Sequence, residues 1–143
     1  MVIRPMSIED YNNVYSLWSA TAGMGMRSLD DSPEGITGFL LRNPSTCFVA
    51  ELEDEIVGVI LCGHDGRRGY IYHTAVKPAC RKSGTGKALV NAAIDALKKE
   101  KINKVALVAF TSNNTGNAFW EHIGFEACND LVYRNLSLNT QNR

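Results

Sequence analysis

The sequence predicts an α+β domain built on a mixed sheet. In the middle of the chain, three strand patterns follow one another on short connections, which favours an antiparallel meander. Helical patterns flank this meander, and a continuous apolar strand follows the third helix. The order β-α-α-β-β-β-α-β-α-β-β is neither the alternation of a doubly wound fold nor an all-β pattern. We therefore expect about seven strands, mostly antiparallel, flanked by about four helices.

The first part of the chain predicts a short strand and two helices. Ser7 begins the first helix, with Asp10 three residues later as a partial capping box and apolar residues at helical spacing as far as Trp18. The segment "TAGMGMRSLDDSPEG" is a Gly/Met-rich turn, and a second helix covers Ile36 to Arg42, ending before Asn43-Pro44.

The centre of the chain predicts three strands. They are "CFVAELE" at 47–53, "IVGVILCGH" at 56–64 and "YIYHTAV" at 70–76, rich in β-branched and aromatic residues and separated by turn residues.

The remainder of the chain predicts two helices and three strands. One helix begins near Gly84 and ends in a cationic turn at 98–101; a buried strand covers 104–110; a short helix ends at Gly124; and the last strands lie around 126–127 and 131–138.

Length and composition limit the classes of function. The 143 residues fit a single domain, 1–143, without repeats or linkers. Fifteen Lys and Arg balance fifteen Asp and Glu, which argues against nucleic acid as a partner. The first residues lack the apolar run of a signal peptide, and no segment approaches the roughly 18 apolar residues that span a bilayer. We expect a cytoplasmic protein without a membrane partner.

The four cysteines, at 47, 62, 80 and 128, form neither a C-x-x-C pair nor a cluster with histidine at zinc-finger spacing. We therefore expect no metal and free thiols. Cys62 lies in an apolar run and is interpreted as a core residue, whereas Cys80 adjoins a glycine-rich loop and is interpreted as exposed.

That loop, "RKSGTGKALV" at 81–90, poses the question of which anion it binds. A P-loop needs G-x-x-x-x-G-K-[ST], but here Arg81 replaces the first glycine and Ala88 the hydroxyl residue. A dinucleotide fingerprint fails as well, because Leu89 replaces its third glycine. The remaining pattern, R-x-x-G-x-G before an amphipathic helix, is typical of a backbone anion site, where glycines permit close approach and the helix dipole favours negative charge. A turn with solvated cations is the alternative.

Two motifs resemble those of one family. Val76-Lys77-Pro78 followed by Arg81 to Gly86 resembles the coenzyme A pyrophosphate loop of the GNAT superfamily of N-acetyltransferases. Asn113-Asn114-Thr115-Gly116 followed by Trp120 to Phe125 resembles the family's second, C-terminal motif. The predicted order of elements also matches the family over nearly the whole chain. The resemblance implies that acetyl-CoA binds where the fourth and fifth strands splay apart, and that dimers form through the last strands.

The resemblance also implies which residues bind the coenzyme. The backbone of Ala75 and Val76 is expected to bind the pantetheine arm, and Asn113 the pantetheine or its thioester end. The pyrophosphate is expected to lie on the loop, against Arg81, Lys82, Ser83, Gly84, Thr85, Gly86 and Lys87. Simpler interpretations remain open: Val76 as a core residue, Asn113 as a helix cap and Arg81 as a surface cation.

The sequence departs from the family at its usual catalytic positions. Trp120 stands where a tyrosine acid is common, and an indole N–H is no proton source at neutral pH. Tyr70 stands where a glutamate base is common. We therefore expect Trp120 to pack or to line the substrate groove, and Tyr72, Tyr70 and then His73 to be the catalytic candidates, with water as an alternative proton carrier.

The geometry of a strand limits whether Tyr70, Tyr72 and His73 can act together. On a regular strand Tyr70 and Tyr72 share one face and His73 the other, so all three line one groove only if a bulge intervenes, as the family resemblance implies. Histidine is the residue type whose unperturbed pKa best suits a proton relay.

Three hypotheses follow. The first is transfer of the acetyl group of acetyl-CoA to a primary amine of a small molecule, a protein lysine or an N-terminus. Asp30, Asp31 and Glu34 would suit a cationic acceptor, although a solvated acidic turn is the simpler interpretation and the one we favour. The second is a catalytically weak acyl-CoA sensor or interaction domain. The third, an ATP or dinucleotide module, rests on the glycine loop alone.

Overall fold

The structure, a computed structural model, describes all residues, 1–143, and contains one five-stranded mixed sheet. Its strands are β1 (Val2–Pro5), β2 (Phe48–Leu52), β3 (Glu55–His64), β4 (Gly69–Val76) and β5 (Val105–Ala106). They lie side by side in chain order; β1 to β4 pair antiparallel, and β5 pairs parallel to β4. The predicted α+β class with a mixed, mostly antiparallel sheet is confirmed.

The four predicted helices are present as α1 (Tyr11–Ser19), α2 (Pro33–Arg42), α3 (Thr85–Lys99) and α4 (Asn114–His122). A single 3-10 turn, Ile8–Asp10, leads into α1. The second helix begins at Pro33 rather than at Ile36, because the Ser32 hydroxyl accepts a hydrogen bond from the Gly35 N–H at 3.0 Å and proline suits the first helical turn. None of these helices has the length and apolar character needed to cross a bilayer.

The helices cover both faces of the sheet. Trp18 of α1 and Ile36 of α2 pack with Val59 of β3 in one core. On the opposite face, Leu89 of α3 packs with Ile60 of β3 in a second core. Neighbouring β3 residues enter different cores because successive side chains of a strand point to opposite faces.

The structure contains fewer strands than the roughly seven predicted. Of the strand expected at 104–110, only Val105 and Ala106 pair with β4, opposite Gly69 and Tyr70. The strands expected around 126–127 and 131–138 are not formed. A strand needs a neighbouring edge with free N–H and C=O groups, and the two-residue β5 offers almost none. The residues at 131–138 do favour extended structure, but the prediction that they pair as strands is wrong.

An ion pair ties β1 to the start of α1. The Arg4 guanidinium donates to both carboxylate oxygens of Asp10, at 2.8 and 2.9 Å, and Asp10 also accepts the Ser7 N–H at 2.9 Å. The hydrogen bond from Arg4 is the largest cause that lowers the pKa of Asp10 below its ordinary value of 3.8. A carboxyl group whose pKa is lowered by folding stabilises the fold above its ordinary pKa, and this stabilisation is lost as the pH falls through the folded value.

We therefore expect Asp10→Asn to lower the midpoint of thermal unfolding by a few degrees at neutral pH. The gap from wild type should close as the pH falls below 3.8, the ordinary pKa, because the wild-type carboxyl group then becomes neutral as well. Thermal melts of both proteins at several pH values measure this gap. A gap that stays constant down to acidic pH would show that Arg4 contributes no pH-dependent stability through Asp10.

Candidate active site

A β-bulge in β4 shapes the candidate site. Ile60 of β3 lies opposite Thr74, and Cys62 lies opposite Ile71, so β4 has one more residue than β3 between these pairs. The extra residue falls at Tyr72-His73. A bulge places two neighbouring residues of one strand opposite one residue of its partner and changes the alternation of faces. The bulge that the three catalytic candidates require is therefore present.

The bulge brings these candidates to the face of the sheet covered by α1 and α2. The Tyr72 ring packs edge-on against Phe39 of α2, with centroids 5.5 Å apart, and lies tilted against the Tyr70 ring at 4.6 Å. The His73 ring packs against Trp18 of α1 at 5.1 Å. Tyr70, Tyr72 and His73 thus share one face despite their sequence spacing.

The two tyrosines keep their protons at neutral pH. Partial burial raises the pKa of Tyr70 and of Tyr72 above the ordinary 10, and the neighbouring hydroxyl of Tyr133 raises both further. Tyr72 remains 51% exposed, so its hydroxyl group can reach a bound molecule. Each tyrosine is therefore an O–H donor on this face of the sheet.

His73, which is partly buried, pairs with the buried Asp31. Its Nε2 lies 2.9 Å from Oδ1 of Asp31, a residue only 5% exposed. The Arg27 N–H donates to Oδ2 of the same carboxylate at 2.7 Å, and the Tyr11 hydroxyl donates to the Asp31 carbonyl at 2.6 Å. The carboxylate therefore fixes one ring nitrogen of His73, while Nδ1 has no hydrogen-bond partner in the protein.

Asp31 is a residue that sequence reasoning misjudged. The interpretation as a solvated acidic turn holds for Asp30 and Glu34, which are exposed, but is wrong for Asp31. Asp31 and His73 are 42 residues apart in the chain, and no spacing pattern links them. Only the packing of the α1–α2 segment against the bulge reveals the pair.

The end of the chain holds the loop that carries Asp31. The Asn142 side chain accepts the N–H groups of Leu29 and Asp30 at 3.0 Å and donates to the Asp30 carboxylate at 2.9 Å. Ser28 adds a backbone hydrogen bond to Arg143 at 2.6 Å. Residues 141–143 thus anchor the loop that carries Asp31.

The glycine loop has the geometry of an anion site. Lys82 and Gly84 both have positive φ, 61° and 87°, and Gly84 adopts the left-handed conformation that caps α3. The first helical hydrogen bond runs from the Ala88 N–H to the Gly84 carbonyl at 2.9 Å. The N–H groups of residues 85–87 therefore have no backbone acceptor and are free to bind an anion, as at other helix N-termini.

The side chains of this loop differ in whether they are exposed and free to bind an anion. Arg81, Lys82 and Lys87 are exposed and form no ion pair within the protein. Thr85, by contrast, is buried, and its hydroxyl contacts Met1 Sδ at 3.2 Å and Ser83 Oγ at 3.1 Å, so its side chain is engaged within the protein. Of Thr85, only the backbone N–H is therefore left for the expected binding of the pyrophosphate.

Gly86 serves packing. A Cβ atom at this position would lie 3.1 Å from the Phe119 ring, so glycine lets α3 approach α4 closely. The second glycine of the motif is thus required by the helix contact as well as by any approach to a ligand.

β5 pairs only with Gly69 and Tyr70, so the rest of the outer edge of β4 has no partner strand and leaves a gap beyond β5. The backbone of Val76 faces this gap, whereas that of Ala75 does not. Lys77 donates its N–H to the Val57 carbonyl at 2.8 Å, and hydrogen-bonded pairs recur every second residue in an antiparallel ladder. Ala75, opposite Val59, therefore bonds to β3. The N–H and C=O of Val76 point away from β3, so of the two backbones expected to bind a ligand only that of Val76 is directed at the gap.

Arg81 is connected to this gap. Its Nε donates to the Val76 carbonyl at 3.0 Å, which leaves the two terminal nitrogens of the guanidinium free. The contact links the loop to the end of β4 and satisfies the Val76 carbonyl, while its N–H remains available.

Asn113 is both a helix cap and a cavity residue. Its Oδ1 accepts the Gly116 N–H at 3.0 Å and so caps α4. Its Nδ2 has no hydrogen-bond partner and lies beside Gly23 of the α1–α2 segment, in a cavity of about 350 Å³ between residues 22–23 and 110–115. Capping by Oδ1 leaves the amide N–H groups free for a ligand.

Trp120 packs on the other side of the molecule. Its ring meets Phe119 and Phe125 edge-on, at 5.1 and 5.2 Å, and belongs to the core under α3. The expectation that Trp120 has a packing role is confirmed, and the tyrosines of the groove lie on the opposite face.

Comparison with known proteins fits this geometry. A model of the Acetyltransferase (GNAT) family matches residues 11–125, from the start of α1 to just beyond α4. An aminoglycoside acetyltransferase, meta-AAC0020, from an uncultured soil metagenomic sample superimposes with a TM-score of 0.76, at 24% identity and over 96% of either chain.

Two further solved structures share the fold. A ribosomal-protein-alanine N-acetyltransferase from Brucella melitensis biovar Abortus 2308 has a TM-score of 0.68 at 19% identity, covering 96% of this chain and 98% of its own. Rv2747 from Mycobacterium tuberculosis, solved in complex with CoA, has a TM-score of 0.64 at 20% identity, covering 83% of this chain and 70% of its own. Because the family model matches most of the sequence, the chain belongs to the GNAT family of acetyl-CoA-dependent N-acetyltransferases.

Proposed function

We propose that the chain acetylates a primary amine by direct attack in a ternary complex, with His73 as the general base. The observation that carries this proposal is the β4 bulge, which sets His73, Tyr70 and Tyr72 on one face of the strand that ends at Val76. When bound, acetyl-CoA supplies the acetyl group: the amine nitrogen bonds to the carbonyl carbon as the carbon–sulfur bond breaks, yielding an amide and the free thiol.

The coenzyme-binding residues follow from the loop geometry. The free N–H groups of residues 85–87 and the unpaired cations Arg81, Lys82 and Lys87 fit a pyrophosphate, with Ser83 and Gly84 shaping the turn. The Val76 N–H fits the pantetheine arm or the thioester carbonyl, which it would polarise. The Asn113 Nδ2 fits the same end of the arm.

The proton steps fall to three side chains. The Nδ1 atom of His73 is free to accept the proton that the attacking nitrogen loses, because Asp31 holds Nε2. Tyr72, exposed and protonated, donates a hydrogen bond to the departing thiolate, with Tyr70 beside it, and the thiolate takes up a proton from water to give the free thiol. Asp31 is a positioning residue that orients the ring through its hydrogen bond to Nε2.

A primary amine is the acceptor class that the relatives support. One solved relative is an aminoglycoside acetyltransferase and another a ribosomal-protein-alanine N-acetyltransferase, so this fold serves both small-molecule and protein amines. Tyr72 is half exposed at this face of β4, so an amine of a small molecule or of a flexible chain end can approach it from solvent.

We expect Tyr72→Phe to lower kcat/KM by about tenfold and Tyr70→Phe by a smaller factor, because each loses an O–H donor. The Kd for CoA should be unchanged in both. Thiol release from acetyl-CoA with an amine panel measures the rate, and calorimetry measures the affinity. Tyr15→Phe, an exposed tyrosine on α1, is the matched control. Full activity of both groove variants across pH would instead assign proton delivery to water.

A further inference from the structure

A basic surface lies at the end of the sheet where β3 turns into β4. Backbone contacts bring the turn beside the connection from α3 to β5: the Gly69 N–H donates to the Lys104 carbonyl at 2.9 Å, and Gly69 pairs with Val105. Six cations lie in these two segments, and each is exposed and without an ionic partner in the protein: Arg67, Arg68, Lys98, Lys99, Lys101 and Lys104.

The two carboxylates of the basic surface are bound to other groups of the protein. Oδ1 of Asp65 accepts the N–H groups of both arginines of the turn, each at 2.8 Å. Glu100 contacts Nε2 of His64 with one oxygen and accepts the Ser45 hydroxyl with the other, both at 3.0 Å. These contacts fix the backbone of the turn and join the end of β3 to the end of α3, so the arginines extend from a fixed support.

Lys101 has a backbone conformation that favours glycine. Its φ is 64° just beyond the end of α3, where glycine is the usual residue. The Lys101 N–H donates to the Lys98 carbonyl at 3.1 Å, and the Ile102 N–H donates to the Leu97 carbonyl at 3.0 Å, which are the two hydrogen bonds of a Schellman motif. A lysine therefore adds a cation to the basic surface at a position where glycine would make the fold more stable.

The helix dipole explains only part of this charge. Lys98 and Lys99 lie in the last turn of α3, where cations are favourable, but Lys104 and the arginines of the turn lie outside the helix. Residues 64–69 and 98–104 contain six cations and two carboxylates, which leaves nine cations and thirteen carboxylates in the rest of a chain without net charge. These two segments are thus net positive, and the remainder of the chain is net negative.

We propose that the basic surface binds an acidic segment of a partner protein. Consecutive Asp and Glu side chains provide carboxylates that pair bidentately with arginine and as point charges with lysine. A lipid bilayer fits less well, because no exposed large apolar side chain lies in these two segments to enter it. Nucleic acid fits less well too, because the two segments contain no Phe, Tyr or Trp for base stacking and the rest of the chain repels a long polyanion.

The basic surface is separate from the candidate active site. It adjoins Gly69, the first residue of β4, whereas the anion-binding loop follows Val76 at the other end of the same strand. The inference therefore goes beyond the proposed function, and binding can be measured without acetyl-CoA.

Two peptides of equal length test the inference, one with a repeated Glu-Gly sequence and one with a repeated Gln-Gly sequence. Each carries a fluorescent label, and fluorescence anisotropy measures its Kd for the whole protein. We expect the glutamate peptide to have a Kd about tenfold lower, because several exposed ion pairs add to this difference. The difference should shrink as the salt concentration rises, because salt screens exposed charges.

Variants locate the binding surface. Arg67→Gln/Arg68→Gln keeps the N–H groups that Asp65 accepts but removes two charges, and should raise the Kd for the glutamate peptide severalfold. Lys82→Gln/Lys87→Gln removes two exposed cations beside the start of α3 and is the matched control, which should leave this Kd unchanged.

Lys101→Gly separates binding from stability. This variant should raise the Kd for the glutamate peptide while raising the midpoint of thermal unfolding by a few degrees, because glycine adopts the φ of 64° without strain. A residue with a structural role alone would not change the two quantities in this way.

Three results would overturn the inference. The first is equal affinity for the glutamate and glutamine peptides. The second is a glutamate-peptide affinity that survives Arg67→Gln/Arg68→Gln, or that falls as much in Lys82→Gln/Lys87→Gln. The third is tighter binding of a short RNA duplex or of phosphatidylserine vesicles than of the glutamate peptide at the same ionic strength, which would assign the basic surface to nucleic acid or to a membrane.

Discussion

His73→Gln should lower kcat/KM by about a hundredfold or more while leaving the Kd for CoA unchanged. The expected loss follows from the size of general base catalysis, roughly 10² to 10⁴ in rate. In the structure the ring stands beside the groove, with one nitrogen held by Asp31 and the other without a partner. Glutamine retains a polar side chain of similar length but cannot accept the proton of an attacking amine. Steady-state kinetics and calorimetry on the same preparations measure the two quantities.

Two further variants make this experiment specific. His122→Gln changes an exposed histidine on α4 and should retain wild-type activity. Asp31→Asn should lower kcat less than His73→Gln does and change the pH dependence of kcat/KM, because the carboxylate acts through the ring. If His73→Gln retained full activity at every pH, His73 would be a packing partner of Trp18 and no more.

Gly84→Ala should weaken CoA binding by about tenfold, since the left-handed conformation costs an alanine roughly 1–2 kcal/mol. Gly84 has φ 87° at the start of α3, and a Cβ atom there would meet no neighbour, so the cost lies in the backbone alone. The substituted loop would relax and turn the N–H groups of residues 85–87 away from their common target. Calorimetry with CoA measures this effect directly.

The control for Gly84→Ala is Gly38→Ala. Gly38 lies inside α2, has a helical backbone, and likewise has open space where a Cβ atom would be. Gly38→Ala should raise stability by about 0.5–1 kcal/mol and leave CoA affinity unchanged. An unchanged CoA affinity in Gly84→Ala would show that the loop conformation at this glycine is not needed for binding.

Local patterns predicted the fold well wherever one segment's own residues decide its structure. The capping serine, the apolar stripe of α3 and the alternation of the central strands each depend on neighbours in sequence. The tail strand at 131–138 failed for the opposite reason. Its residues favour extended structure, but pairing depends on whether another segment offers an edge, and β5 stops after Ala106.

The candidate site likewise has one part that the sequence predicts and one part that it does not. The loop at Arg81–Lys87 is visible in the sequence because a helix N-terminus and its glycines are local features. The pairing of His73 with Asp31 depends on a bulge and on a long loop, neither of which has a short sequence signature. Trp120 is intermediate between the loop, which the sequence predicts, and the His73–Asp31 pair, which it does not. Its motif position and its packing role follow from the sequence, but only the structure shows which core it packs against.

The measurement that most directly tests acetyl transfer at this site is mass spectrometry of an amine incubated with acetyl-CoA and the protein. The predicted result is an N-acetylated amine formed in equal amount with free CoA, rapidly with wild type and at least about a hundredfold more slowly with His73→Gln. Without amine, neither free CoA nor acetylated protein should accumulate, because the transfer is direct. Tight binding of CoA without acetylation of any primary amine, or an acetylated protein that forms first and then passes its acetyl group to the amine, would contradict it.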